Sequence, residues 1–242
     1  MATAAPAVES VTSRPAGERA MYTWAGATAL AVAFVGFAPT YFLKPLFGTP
    51  DLTTLKHVHG AVMSAWLVLF LVQARLVATG NTATHRKVGV VGLGVAVLVV
   101  LVGTQAALAM ARAGVTPLPQ IPPLAFFLIP LGDMVIFTVL VGAAFALRRK
   151  SPWHKRLMLI GTVAMLTPAF ARFPLIRDAG PLAFFGLVDL IIIACMVYDR
   201  RRNGRVHPAF KVGLPFVVVA QFGRLPLAMS SAWMDFARSV VS

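Results

Sequence analysis

The sequence predicts an all-α integral membrane protein with seven transmembrane helices. Three observations predict this. Of its 242 residues 58% are hydrophobic and only 12% charged; the apolar residues gather into long runs; and the basic residues gather in the connections between those runs. An ordinary soluble domain is about 45–50% apolar and about 25% charged. A helix crosses a bilayer with roughly 20 apolar residues.

The spans read as 22–43, 57–79, 88–112, 124–147, 157–177, 181–198 and 212–236. Residues 1–20, rich in Ala, Pro and Ser, read as a disordered cytosolic tail, and 21–242 as one transmembrane domain. A cleaved signal peptide would carry an apolar core of only about 7–15 residues. The run from Tyr22 to Leu43 is longer and reads as a retained span.

Charge sets the orientation. Arg14 and Arg19, Arg86 and Lys87, Arg148, Arg149, Lys150, Lys155 and Arg156, and then Arg200, Arg201, Arg202, Arg205 and Lys211 all fall on one side. Only Lys44, Lys56, Arg112, Arg177 and Arg238 fall on the other. The richer side is cytosolic by the positive-inside rule. The expectation is a cell (inner) membrane protein with its N-terminus in the cytosol and its C-terminus outside. The net charge of +14 then has a membrane explanation, because anionic lipid headgroups attract these loops. Nucleic acid is excluded as a partner, since the basic residues form no continuous face. The single cysteine, Cys195, lies in an apolar run and reads as a packing residue.

Spans 4–5 and 6–7 read as a tandem repeat. Pro-Leu-Ala-Phe-Phe opens span 4 at Pro123 and span 6 at Pro181; Asp133 and Asp189 follow. Arg148-Arg149-Lys150 then matches Arg200-Arg201-Arg202, His154 matches His207, and Arg172 with Pro174 matches Arg224 with Pro226. The offsets run from 52 to 58 residues. With His85-Arg86-Lys87 in the equivalent place, spans 2–3 read as a third, worn copy, giving one leading helix and three helical hairpins. Parallel repeats of this kind occur in transporters, with the site at the repeat interface.

Asp133 and Asp189 lie about 12–14 Å below the outer surface at 1.5 Å per residue. Arg224 falls near the same depth, Arg172 in the outer half, and Gln221 one turn before Arg224. A charge at the bilayer centre costs at least about 2.5–3.5 kcal/mol, so the two acids and two arginines are expected to pair. Two roles are open. One is a mid-membrane site for a small polar or anionic ligand or for protons. The other is stapling of helices bent at Pro130, Pro168, Pro174 and Pro226.

Five histidines border the spans. His57 and His59 open span 2 as an outer ligand or metal mouth; on a regular helix they point about 200° apart, so metal binding needs an unwound start and a third group such as Asp51. His85, His154 and His207 lie at cytosolic ends, either as interfacial residues or as axial ligands of haem b. Glycines Gly89, Gly92 and Gly94 lie within span 3 and read as packing positions. No nucleophile is set beside a base, so no enzyme class is assigned.

The run His59-Gly60, His85-Arg86-Lys87-Val88-Gly89 and His154-Lys155-Arg156-Leu157-Met158, with Arg172 downstream, resembles an uncharacterised family of bacterial polytopic membrane proteins. That family carries His-Arg-x-x-Gly and His-(Lys/Arg)-x-x-Met motifs. A weaker likeness is to di-haem transmembrane b-type cytochromes, which implies haem between histidines of different helices. Here the outer face offers only His57 and His59, both on one helix. Three classes follow: a ligand or proton transporter or sensor, a haem-bearing electron carrier, and an accessory subunit binding a membrane-protein partner or a second copy of itself.

Overall fold

Proline placed at the first turn, where its missing N–H costs nothing, opens the helices that matter most. Pro123 starts α5 (Pro123–Ala146), Pro181 starts α9 (Pro181–Asn203) and Pro208 starts α10 (Pro208–Ala228). The structure is a computed structural model that describes residues 16–242. The predicted tail at 1–20 therefore lies mostly outside the described residues; its last five already belong to α1 (Ala16–Phe37). The chain continues through a π-turn (Ala38–Phe42), α2 (Lys44–Phe47), α3 (Thr54–Ala78) and α4 (Thr82–Arg112) to α5. Between α5 and α9 come α6 (Ser151–Ala164), α7 (Thr167–Phe170) and α8 (Pro174–Asp178); α11 (Ser231–Val241) follows α10.

Among the described residues, six helices are long and apolar enough to cross a membrane: Arg19–Phe42, Thr54–Ala78, Thr82–Arg112, Pro123–Ala146, Pro181–Asn203 and Pro208–Ala228. The predicted span at 157–177 is no single helix. It breaks into α6, α7 and α8, and Pro168 and Pro174 are the cause. Proline lacks the N–H that a carbonyl four residues earlier would receive. At the first break the Thr167 hydroxyl donates to the Ala164 carbonyl instead, at 3.1 Å. The predicted last span also divides. It ends as α10 at Ala228, and Ser230 caps α11 by accepting from the Trp233 N–H at 3.2 Å. The Trp233 indole donates to the Leu124 carbonyl at 2.8 Å, laying α11 across the start of α5.

Neighbours in sequence pack as neighbours in space: α1 on α3, α3 on α4, α4 on α5, and α5 on α6. The centre is α5, with α10 against it, against α6 and against α9. Its inner residues Phe127, Ile136, Phe137, Leu140 and Ala144 are buried. The buried stripe of α4 is Gly92, Ala96, Val99, Gly103, Ala107 and Ala111, small residues at helical spacing that let helices approach closely. Its other face exposes Val90, Val91, Leu98 and Leu101, the composition of a lipid-facing surface. Of the three glycines read as packing positions, Gly92 faces Leu69 and Gly89 faces Gln73, while Gly94 meets nothing within 4 Å.

The broken segment runs along α1. Lys155 of α6 lies over the Tyr22 ring at 5.7 Å, and Ala169 of α7 lies against Gly36. A Cβ on Gly36 would stand 2.6 Å from the Ala169 carbonyl oxygen, which is backbone and cannot swing away. Overpacking costs about 1–3 kcal/mol, whereas alanine gains about 1 kcal/mol in helix propensity. The crowding wins, and Gly36→Ala is expected to lower the thermal unfolding midpoint of the purified protein.

Candidate functional site: a polar layer across three helices

Asp133 of α5 and Arg224 of α10 meet, with Nη2 donating to Oδ1 at 2.7 Å. Both side chains are only 4% exposed. The second guanidinium arm donates to the carbonyl of Ile129, the residue before Pro130. The cation also lies over the Phe185 ring, 4.6 Å from its centre. Room for it comes from Gly132, where any Cβ would collide with the guanidinium. The Arg224 Nε is buried without a partner.

Asp189 of α9 does not pair with Arg172. Its partner is Gln221 of α10, whose amide nitrogen, oriented by its surroundings, donates to the two carboxylate oxygens at 3.0 and 3.3 Å. Gln221 and Arg224 lie one turn apart, so α10 presents one polar group to α9 and one to α5. Phe185, one turn before Asp189, floors the arginine. These residues form one layer across α5, α10 and α9.

Arg172 stands apart from that layer. It follows the break at Pro168, and the turn carries its side chain toward α1. Its Nη1 donates to the Pro168 carbonyl at 2.6 Å, and its cation rests on the Phe37 ring at 3.8 Å. No carboxylate pairs with it among the described residues. The expected pairing of two acids with two arginines is thus corrected: one ion pair forms, and an amide stands where the second cation was expected.

The structure adds a buried ion pair that sequence reasoning missed. Arg156, read as a loop residue, directs Nε at both oxygens of Asp199, 3.1 and 3.0 Å away, and Nη2 at Oδ1. Its Nη1 donates to the Pro152 carbonyl at 2.8 Å. Asn203 adds a bond to Asp199 Oδ1 at 3.1 Å. The signal was available: Asp199 is an acid placed beside a run of three arginines, in a chain with only eight acidic residues.

The histidines separate into three environments. His85 and His154 come together, ring centres 6.4 Å apart and planes at 79°. The Nδ1 of His154 is held at 2.8 Å by the Ala144 carbonyl, while the Nδ1 of His85 is buried without a partner. His207 is not part of that pair. It caps α10, its Nδ1 accepting from the Ala209 N–H at 3.1 Å, and faces Trp153 at 5.3 Å. His57 and His59 lie in regular α3, which sends them to different faces. Asp51 is taken by Lys44 at 2.6 Å, and that contact holds its carboxyl below the usual range. The unwound start needed for an outer metal mouth is not formed, and no cluster of three His, Cys, Asp or Glu occurs among the described residues.

The His207 cap makes a pH prediction. Partial burial, and then the charge of Arg156, hold its imidazole below the ordinary value, against the pull of Asp199. Nδ1 accepts only while unprotonated. The unfolded chain therefore takes up the proton first, so the cap's stabilisation is full above about pH 6.5 and is lost as pH falls through the lower folded value. A cap is worth about 1 kcal/mol. His207→Asn, which caps without titrating, should flatten that part of the stability profile below about pH 6.5.

Comparison with known proteins finds no match for this chain among family models, curated proteins or solved structures.

Proposed function

We propose that the chain is a seven-crossing protein of the cell (inner) membrane that binds and moves protons, or a small polar or anionic ligand with them, through the layer of Asp189, Gln221, Asp133 and Arg224. The seventh crossing is the broken segment α6–α8. It is supported by its course beside α1: Lys155 by Tyr22 and Ala169 by Gly36 are each 14 residues apart, or about 21 Å of helix. With seven crossings and the basic loops in the cytosol, the C-terminus lies outside. The matching openings of α5 and α9 and the matching depth of their aspartates support the tandem repeat, with the site where its copies meet.

One observation carries the functional reading. At one depth, the two acids are held differently: Asp133 by a guanidinium, Asp189 by a neutral amide. A guanidinium only donates, so the partner of Asp133 suits its carboxylate form. The amide can donate to a carboxylate or accept from a carboxylic acid, so Asp189 keeps a partner in both protonation states. An intramembrane carboxyl that changes charge without losing its partner is the part a proton path needs.

The test is an imposed pH gradient across proteoliposomes, read by an enclosed pH dye. Wild type should dissipate it, and Asp189→Asn should slow the decay at least about tenfold while retaining the folded elution profile. An unchanged decay in the variant, or none in the wild type, sinks the proposal.

A second reading rests on His85 and His154. The Ala144 carbonyl leaves the Nε2 of His154 free, the arrangement an axial haem ligand uses. Haem b there would make the chain an electron carrier. A reduced-minus-oxidised absorption spectrum decides it: a Soret shift lost in both His85→Ala and His154→Ala supports haem, and a colourless protein removes it.

A further inference from the structure

Helices α1 and α3 pack closely on one side and part on the other. Gly26 of α1 faces the Leu71 backbone, where an added Cβ would stand 3.1 Å from the Cα. Outside that contact a groove runs between the two helices, in two sections that meet at Leu71. One section, of about 450 Å³, is apolar: Leu30, Phe34, Leu67 and Val68 line it, and Ser64 is its one polar residue. The rings of Phe34 and Phe42, 5.1 Å apart, stand at its far end. The other section, of about 410 Å³, reaches Thr23, Arg75 and Thr79. Both volumes fall within the roughly 300–1,000 Å³ of ligand sites. Arg75 lies in the last turn of α3. Thr23 and Thr79 donate to carbonyls of their own helices, and no carboxylate pairs with Arg75 among the described residues. Its guanidinium is the donor that this end of the groove offers.

We propose that the groove binds one phospholipid with an anionic headgroup, its acyl chain along α1 and α3 and its phosphate on Arg75. The length fits one leaflet. Ser64 and Arg75 are 11 residues apart, about 16.5 Å of helix, and half of a hydrocarbon core about 30 Å thick is about 15 Å. The polarity fits as well. A trough with paired phenylalanines at one end and a cation at the other complements an amphiphile with a negative head. The planar fork of an arginine takes a phosphate with two parallel hydrogen bonds. A helix of a second copy would cover the apolar section but leave Arg75 without an anion, so charge favours the lipid. An arginine that only snorkelled to the headgroups would gain nothing from the groove beside it. No residue of the Asp133–Arg224 layer lines the groove, so the lipid site and the proton path stand or fall separately.

Full-length protein in nanodiscs of mixed phosphatidylcholine and phosphatidylglycerol, released into native mass spectrometry, reads which lipid stays bound. Wild type should retain one phosphatidylglycerol per chain in preference to phosphatidylcholine. One basic residue at an anionic surface is worth about fivefold in binding, so Arg75→Gln should lower that preference about fivefold. Ala31→Trp fills the apolar section from an exposed position. It should lower lipid retention several-fold with Arg75 still in place, which keeps the test decisive if the arginine variant misfolds. Arg86→Gln removes a cation that lines neither section and should leave the preference as it is. Equal retention of the two lipids by wild type overturns the proposal. So does an effect of Arg86→Gln equal to that of Arg75→Gln, or an Ala31→Trp variant that retains lipid as wild type does.

Discussion

Arg224→Gln should cost the folded protein about 3–5 kcal/mol, and adding Asp133→Asn should restore most of it. Removing one member of a buried ion pair leaves the other charged without compensation, and that penalty is of this size. Here the abandoned carboxylate would have no replacement cation, since Arg172 is committed to Pro168 and Phe37. The double variant leaves two neutral amides at the same positions, able to bond each other. Unfolding of the purified protein in mixed micelles, followed by circular dichroism, measures each variant. A double-mutant coupling below about 0.5 kcal/mol, the level of independent sites, would show that the pair does not hold α5 to α10. The same variants bear on function. If the double variant is folded but Asp189 no longer carries protons, the pair also shapes the path.

Depth along the helix axis brings Asp133, Asp189 and Arg224 to one level, where a charge in lipid must be matched, but it does not say which acid Arg224 takes. Depth fixes height in the membrane but not rotation about the axis. Rotation is set by the break at Pro168, which turns Arg172 onto Phe37 and leaves Asp189 to Gln221. The prolines teach a similar lesson. Pro130, Pro215 and Pro226 stay within helices, whereas Pro168 and Pro174 end them. What differs is the local supply of donors and the company of neighbouring helices. At Pro168 the adjacent Thr167 hydroxyl satisfies the freed carbonyl and makes a stop comfortable. Pro130 frees the Phe126 carbonyl, and α5 continues through it with α4, α6 and α10 packed around it. Hydropathy sees neither, and so it reads 157–177 as one plain span.

The Arg156–Asp199 pair should give an equally large effect with a different signature. Asp199→Ala strands a guanidinium that is buried beside α9, again at about 3–5 kcal/mol, and also strands the Asn203 amide. Arg156→Met alone strands the acid. Replacing both by apolar residues of similar volume is expected to be near neutral, because the desolvation of both charges disappears with their attraction. Arg156 and Asp199 join the start of α6 to the end of α9, where the chain enters and leaves basic loops, and no residue of the proposed path touches them. In the proteoliposome assay the apolar double variant should therefore dissipate a pH gradient at the wild-type rate. Loss of flux in a folded double variant would extend the functional region to the C-terminal end of α9, and a double variant as unstable as Asp199→Ala would show that the pair is held by more than its own charges.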